Sequence, residues 1–179
     1  MTLLQMPVQA PFRAGEGEFA SLVRQHQAMV FSVAWHFLRD RAVAEELAQE
    51  VFLALYQHLG TLESPEHILF WLRKVTTHRA LDVARSRQRR PMVSLEDAPE
   101  PVAVTPPGDP MMGAALRKLV AALPAKARMV VVLRYQEDLD PTEIAAILGI
   151  PIGTVKSQLQ RALTLLRGKL SRRRGEVGL

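Results

Sequence analysis

The chain has 179 residues and a mass of 20.0 kDa, with 48% hydrophobic residues, 6% aromatic residues and no Cys. This length suits one domain or two small ones, and the absence of Cys excludes disulfides, thiolate zinc sites and Cys nucleophiles. Lys and Arg outnumber Asp and Glu by 23 to 18, a net charge of +5 that favours a polyanionic partner. No apolar run approaches the roughly 20 residues of a membrane-spanning helix, and the N-terminus lacks the basic start of a signal peptide. We therefore expect a soluble, cytoplasmic protein without membrane insertion.

Three amphipathic helices are predicted before residue 90. Apolar side chains between Phe19 and Phe37 recur close to the 3.6-residue helical period. Asp40 is a favoured N-cap for a second helix, which Gly60 would end in the left-handed conformation. Ser64 and the proline after it can begin a third helix, which ends in a basic cluster. The side chains expected inside are Leu47, Val51, Leu55 and Leu59 of the second helix, and Ile68, Leu69, Leu72 and Val75 of the third.

Residues 91–112 are rich in proline and acidic. They contain six of the twelve prolines, four carboxylates and no Lys or Arg. Because dense proline blocks helix formation, we expect an extended, flexible linker between one helical domain at 17–90 and another at 113–171. Residues 1–16 are expected to be a disordered leader, and 172–179 a basic tail. The linker's composition fits either a plain tether or an acidic strand that occupies a basic channel built for nucleic acid.

The second half begins with two predicted helices of similar length. The first covers Ala114–Leu123 and ends at Pro124, which can also serve as the first residue of the next helix, Ala125–Gln136. A third helix is expected to begin where Asp140, a proline and Glu143 form a capping box. Patterns typical of strands are nearly absent, so the predicted fold is all-α.

A helix-turn-helix is predicted around Gly149, which supplies the turn between the short third helix and a longer fourth helix running to about Leu170. The short helix is expected to bury Ile144, Ala145 and Leu148. The long helix would enter the major groove of DNA by its N-terminal residues. Those residues are Thr154, Lys156, Ser157, Gln158, Gln160 and Arg161. Residues 150–174 hold seven basic side chains and no acidic one, which favours DNA over an ordinary solvated helix face.

Both halves contain strings of residues long enough to be specific. The second half has Leu123-Pro124, Arg128 and Leu133-Arg134, followed by EIAAILGIPIGTVKSQLQRAL. The first half has AEELAQEVFLALYQHL and FWLRKVTTHRALDVARSRQRR. These strings resemble region 4 and region 2 of the sigma-70 family of bacterial RNA polymerase sigma factors. The chain has no room for region 1.1 or a folded region 3, which points to the extracytoplasmic-function (ECF) group.

The resemblance implies two small helical domains, a region 2 bundle and a region 4 helix-turn-helix, joined by the extended Pro-rich acidic linker. It also implies a subunit that binds bacterial core RNA polymerase and directs promoter-specific initiation. Region 2 would read and melt the single-stranded −10 element, and region 4 would read the duplex −35 element. An anti-sigma factor is an expected further partner. No catalysis, cofactor, metal or small-molecule substrate is expected.

The resemblance also assigns candidate residues to each role. Those expected to bind core polymerase are Glu46, Gln49 and Glu50. Those expected at the −10 element are Trp71, Arg73, Lys74, His78, Arg79, Asp82 and Arg85. Those expected at the −35 element are the six residues at the start of the long helix, among which Lys156, Ser157 and Arg161 match contact positions of the family.

Some of these residues have a simpler structural role, and others differ from the residue that the family usually has at that position. Glu46 also complements a helix dipole, and core packing is the favoured role of Trp71. His78 stands where the family commonly has Asn, which leaves its base preference open. Gln158 stands where Arg is usual, and Gln pairs better with adenine than with guanine, so an altered preference is predicted.

Other function classes fit the sequence less well. No Gly-rich phosphate loop and no supported set of catalytic side chains is present. The main alternative is a stand-alone helix-turn-helix transcriptional regulator that binds duplex DNA, with a first domain that dimerises or binds an effector. An adaptor that binds polymerase without directing initiation is a third reading, and basic residues in both DNA-facing segments disfavour it.

Overall fold

The computed structural model describes residues 16–89 and 110–176, and these residues form seven α-helices and no strand. The predicted all-α fold is confirmed. The N-terminal half consists of α1 (Glu16–Leu38), α2 (Arg41–His58) and α3 (Pro65–Arg89), with a 3₁₀ turn at Leu59–Thr61. The C-terminal half consists of α4 (Pro110–Ala121), α5 (Ala125–Tyr135), α6 (Pro141–Leu148) and α7 (Ile152–Glu176). Nearly all of the predicted leader, most of the predicted linker and the last three residues of the tail lie outside the described residues.

Polar side chains cap the helices of the N-terminal half where the sequence predicts them. The Asp40 carboxylate accepts a hydrogen bond from the backbone N–H of Val43 at 3.1 Å. The Ser64 hydroxyl accepts one from the backbone N–H of His67, also at 3.1 Å. Each cap satisfies a backbone donor that has no partner inside its own helix, and so sets the start of α2 or α3.

Three helix ends differ from the predicted ones. The left-handed cap predicted at Gly60 is wrong, because α2 tightens into the 3₁₀ turn instead, and Gly149 is the glycine with positive φ among the described residues. Helix α4 begins at Pro110 rather than Ala114, since proline is tolerated in the first turn of a helix. Helix α7 continues to Glu176, beyond its predicted end.

The capping box predicted at the start of α6 is confirmed. Asp140 accepts hydrogen bonds from the backbone N–H groups of Thr142 at 2.6 Å and Glu143 at 2.9 Å. The Glu143 carboxylate accepts the N–H of Asp140 at 2.8 Å. At the other end of α6, Gly149 adopts φ 65° and ψ 36°, and this left-handed residue turns the chain into α7. The predicted helix-turn-helix is therefore present.

The apolar stripes predicted for the N-terminal half face its interior. All four predicted residues of α2 are buried, as are Ile68 and Leu72 of α3, whereas Leu69 and Val75 are half-buried. Helix α1 packs along both α2 and α3. This three-helix arrangement leaves the outer face of α2 and much of α3 exposed to solvent.

The two halves pack against each other through α5. Five consecutive side chains of this helix, Met129–Leu133, are buried, so α5 is apolar around its whole circumference. Such a helix is stable in water only when it is covered on every side. Helices α1 and α3 cover one side of α5, and α4, α6 and α7 cover the others.

Helix α6 also faces both halves. Of the residues predicted to be inside, Ile144 is fully buried, and Ala145 and Leu148 are half-buried. Ile147, which the sequence did not single out, is 1% exposed. Because α6 contacts α3 as well as α7, its buried stripe is wider than a helix-turn-helix alone requires.

Gly149 in the turn and Gly153 just after it allow a matched test of the backbone strain at Gly149. A methyl group added at Gly149 or Gly153 would meet no atom within 4 Å, so neither substitution causes a clash. Gly149→Ala should destabilise the protein by about 1 kcal/mol because alanine disfavours positive φ. Gly153→Ala, inside α7, should be neutral or stabilising by up to about 0.5 kcal/mol. Urea unfolding of both variants checks this, and equal effects would contradict it.

Candidate functional site

The outer face of α2 carries the three residues expected to bind polymerase. Glu46, Gln49 and Glu50 are all exposed, whereas Leu47 and Val51 point into the core. The apolar stripe of α2 and the candidate polymerase-binding residues therefore lie on different sides of the helix, as expected. Asp40 caps this helix, and the first turn of the helix holds no acidic residue.

An apolar groove runs beside these residues, between α1 and α2. It has a volume of about 820 Å³, and Gln49 lies on its edge. Leu53 and Tyr56 line it and are 61% and 56% exposed. The sequence reasoning missed both, although Gln49, Leu53 and Tyr56 follow the i, i+4, i+7 spacing of a second helical stripe. Large apolar side chains left exposed in one groove are typical of a protein-binding surface.

Helix α3 carries the residues expected at the −10 element, and they differ in exposure. Lys74, His78, Asp82 and Arg85 are exposed, and Trp71, Arg73 and Arg79 are half-buried. Trp71 packs against the core cluster and its ring lies 5.5 Å from that of His58. This position matches the packing role that the sequence favours for Trp71.

The three arginines of α3 that are expected at the −10 element each face a carboxylate. Arg79 donates to Glu50 of α2 at 2.6 Å, so a residue expected to bind DNA pairs with one expected to bind polymerase. Arg85 lies 3.2 Å from Asp82 on the same helix. Both pairs are well exposed, and such pairs contribute at most about 1 kcal/mol, so DNA phosphates can displace these carboxylates.

Arg73 is enclosed more deeply than the other paired arginines of α3. Its guanidinium lies 3.9 Å from the carboxylate of Glu137, which follows α5, and the two side chains are 21% and 9% exposed. His26 of α1 is 8% exposed, and burial and the nearby Arg73 lower its pKa. Burial raises the pKa of Glu137, and Arg73 opposes that rise. Five residues further along α3, the His78 ring nitrogen Nε2 lies 3.1 Å from the carbonyl oxygen of Ile147.

Four of the six residues expected at the −35 element form one outward face at the start of α7. Lys156, Gln160 and Arg161 are exposed, and Ser157 is partly exposed and donates to the carbonyl of Thr154 at 3.0 Å. These side chains lie opposite Val155 and Ala162, which pack inward. The geometry is that of a helix whose N-terminal residues can enter a DNA groove.

Gln158 is less exposed than Lys156, Gln160 and Arg161. It is half-buried, and its Oε1 atom is enclosed without a hydrogen-bond partner among the described residues. Bidentate recognition of adenine uses both the oxygen and the nitrogen of the Gln amide. With Oε1 enclosed, this side chain can present only its nitrogen to a base unless it changes rotamer.

Two other kinds of site receive no support in the described part of the chain. Residues 16–89 and 110–176 contain no group of three or more His, Asp or Glu that could hold a metal ion. Over the same residues, no helix is long and apolar enough to cross a bilayer.

Comparison with known proteins assigns each half of the chain to a family model. Residues 22–90 match the family model of Sigma-70 region 2, and residues 113–166 match that of Sigma-70, region 4. The RNA polymerase sigma-E factor of Streptomyces coelicolor is 33% identical over 155 residues, which cover 86% of each chain. The chain belongs to the sigma-70 family, in its ECF group. The resemblance seen in the sequence strings is thereby confirmed.

Further relatives of this sigma factor differ in length. The ECF RNA polymerase sigma factor SigE of Mycolicibacterium smegmatis is 33% identical over 165 residues, covering 87% of this chain and 63% of the relative. The chain spans 41% of a probable sigma factor from Xanthomonas campestris. Among solved structures, the sigma factor RpoE of Bartonella quintana, in complex with the anti-sigma factor NepR, has a TM-score of 0.71. It is 22% identical and covers 86% of this chain and 96% of that chain, a likeness of fold.

Asp40 allows a test of how α2 and α3 of this sigma factor are held together. Its carboxylate caps α2 and also accepts a hydrogen bond from Arg87 of α3 at 2.7 Å. The Val43 N–H, and after it Arg87, lower the pKa of this carboxyl. Because its folded pKa lies below the unfolded one, its contribution to stability is complete above the unfolded value and is lost as the pH falls through the folded value.

We expect Asp40→Ala to lower the free energy of unfolding by about 1 kcal/mol at neutral pH, since the cap is lost. Asp40→Asn keeps a cap and loses the ion pair, so its cost should be about 0.5 kcal/mol. The difference between wild type and Asp40→Asn should shrink below about pH 4. Urea unfolding across this range measures it, and a pH-independent difference would show that the charge of Asp40 plays no part.

Proposed function

We propose that this sigma factor binds bacterial core RNA polymerase and directs promoter-specific transcription initiation. One observation carries the proposal: a single chain combines a region 2 half, with an exposed partner-binding face on α2 and a basic helix α3, and a region 4 half with a DNA-binding helix-turn-helix. A stand-alone regulator that dimerises would use the helix-turn-helix and the exposed face of α2, but it has no need of the basic helix α3.

The polymerase-binding surface is proposed to be the outer face of α2 together with the groove beside it. Its occupant would be a helical segment of the polymerase, because the groove is lined by residues of two helices and offers apolar anchors at Leu53 and Tyr56. Gln49, which lines the groove, and Glu46, which is exposed on the same helix, would supply polar contacts that fix register. Apolar anchors inside a polar edge are the usual anatomy of a stable interface.

Recognition of the −10 element is assigned to α3. Opening a duplex requires unstacked bases to be captured and backbone phosphates to be held. Lys74, Arg79 and Arg85 provide positive charge along the exposed side of the helix. The carboxylates paired with Arg79 and Arg85 are exposed, so phosphates can replace them at small cost.

Recognition of the −35 element is assigned to the outward face of α7, formed by Lys156, Ser157, Gln160 and Arg161. The arginine and lysine suit phosphate or guanine, and Gln160 can contact an exposed base edge. Thr154 and Gln158 flank this face and would contribute less. The protein would act in the cytoplasm and without catalysis, since polymerase and promoter DNA are both there and the polymerase supplies the chemistry. An anti-sigma factor is proposed as a further partner.

Binding to core polymerase tests the proposal directly. Purified protein mixed with sigma-free bacterial core polymerase should co-elute from a sizing column. Glu46→Lys should weaken co-elution by about tenfold or more, because it reverses a charge at the proposed interface. Glu63→Lys makes the same charge change at an exposed site between α2 and α3, and should behave like wild type.

A second polymerase variant, Gln49→Ala, removes a polar contact at the groove without changing charge and should have a smaller effect. If wild type fails to bind core polymerase but binds a specific duplex tightly on its own, the alternative of a stand-alone regulator replaces the proposal. If Glu46→Lys and Glu63→Lys weaken binding equally, the interface lies elsewhere.

DNA binding by α7 can be tested with two arginines of the same helix. The reconstituted holoenzyme first selects promoter DNA from a random library. Arg161→Gln should then weaken binding to the selected DNA by about 1–2 kcal/mol and reduce its dependence on salt. Arg167→Gln removes the same charge about 9 Å further along the helix axis, away from the N-terminal turns, and should have less effect. Equal losses would mean that α7 contributes only diffuse charge.

A further inference from the structure

Helix α7 carries two glutamines near its N-terminal end, and the two differ in what they offer to DNA. Gln158 is half-buried and one of its two amide atoms, Oε1, is enclosed, so a single amide atom is left for a base. Gln160 is exposed. Within the described part of the chain, its hydrogen bond with Thr164, at 2.9 Å, is accepted by its backbone carbonyl. Both atoms of the Gln160 side-chain amide are therefore available to a base.

The two glutamines also project in different directions around the axis of α7. The buried side chains of Val155, Ala162 and Leu166 define the inward side of this helix. At about 100° per residue, Gln160 projects about 40° from the opposite, outward direction, whereas Gln158 projects about 120° from it. Gln160 therefore faces a duplex that approaches the outward side of α7, and Gln158 faces sideways and partly inward.

The middle of the outward side is formed by short residues. Gly153, Ser157 and Thr164 all project within about 20° of the outward direction. A methyl group added at Gly153 would meet no atom within 4 Å, so the space beside it is open. The hydroxyl groups of Ser157 and Thr164 donate to carbonyl groups of the preceding helical turn, at 3.0 and 2.9 Å. Short residues here allow the helix to approach the base edges closely, and the longer side chains of Gln160 and Arg161 can then reach them.

The chemistry of the base edges decides what such a side chain can recognise. In the major groove, adenine presents an acceptor, N7, next to a donor, its N6 amino group, and no other base presents this pair. An amide with both atoms available donates to N7 and accepts from N6 at the same time. An amide with one atom available makes a single hydrogen bond, which several bases can satisfy. Selection of adenine therefore requires the glutamine whose amide is fully exposed.

We infer that Gln160 reads one adenine of the −35 element through two hydrogen bonds, and that Gln158 does not set the preference for that base. This inference rests on the proposed function and adds a base identity to the duplex reading assigned to α7. The sequence alone linked adenine to Gln158. The exposure and direction of the two side chains move that role two residues further along the helix.

A duplex library randomised over the −35 element tests the assignment. Reconstituted holoenzymes that contain wild type, Gln160→Ala or Gln158→Ala each select bound sequences from it. Wild type should enrich adenine at one position by about fivefold or more, because one bidentate contact discriminates by at least that factor. Gln160→Ala should lose the enrichment at that position alone. Gln158→Ala should keep it, whatever its overall affinity. Alanine favours helix, so both variants should fold, and circular dichroism confirms this.

Replacement of one atom of the base separates a direct contact from a structural effect. At the selected position, 7-deazaadenine lacks the N7 acceptor and keeps the N6 amino group. It should weaken binding of the wild-type holoenzyme about two- to tenfold, the contribution of one hydrogen bond. It should leave the affinity of Gln160→Ala unchanged, because that variant has no donor for N7. Equal weakening of both proteins would show that Gln160 does not contact N7, and the inference would be wrong.

The same selection with the free, full-length protein at low salt, where phosphate contacts are strongest, lets the inference and the proposed function fail separately. If the protein selects duplex DNA alone and does not bind core polymerase, the proposed function is wrong, and the effect of Gln160→Ala on the adenine still decides the inference. If the holoenzyme selects a −35 element in which no adenine depends on Gln160, the inference is overturned and the function stands. If neither form selects any sequence, both are overturned.

Discussion

The arrangement of the whole molecule depends on the burial of α5. Its five consecutive apolar residues, Met129–Leu133, cannot all face the other helices of the C-terminal half, because a helix presents side chains in every direction. The side that remains apolar meets α1 and α3 of the N-terminal half. One helix thereby serves two cores, and covering it in water brings region 4 onto region 2.

The environment of each arginine on α3 depends on that packing. Arg85, which faces solvent, has a weak and replaceable partner nearby. Arg73, at the junction of the halves, lies near Glu137 in a site that is largely buried. The same type of side chain thus has two environments on one helix. Arg79 pairs with Glu50 across the N-terminal half, which brings the proposed polymerase face and the proposed DNA face into direct contact.

The candidate site was predictable where it depends on local pattern. The separation of Glu46 and Gln49 from the buried stripe of α2, and the outward face of α7 around Lys156 and Arg161, follow from helical periodicity. The groove at Leu53 and Tyr56 was not predicted, because apolar residues on an exposed face look like core residues until the packing is known. Gln158 likewise looked like an exposed reading residue, and only the fold encloses its Oε1 atom.

Local chemistry alone determined the helix caps at Asp40 and Asp140 and the turn at Gly149, since each depends on atoms within a few residues along the chain. The all-α class and the division into a region 2 and a region 4 half were also readable from the sequence. Only the tertiary structure decided how wide the covered face of α6 is, and that His78 contacts a carbonyl 69 residues away. Contacts between residues far apart along the chain produce no periodic pattern in the sequence, because they form only when two separately formed surfaces meet.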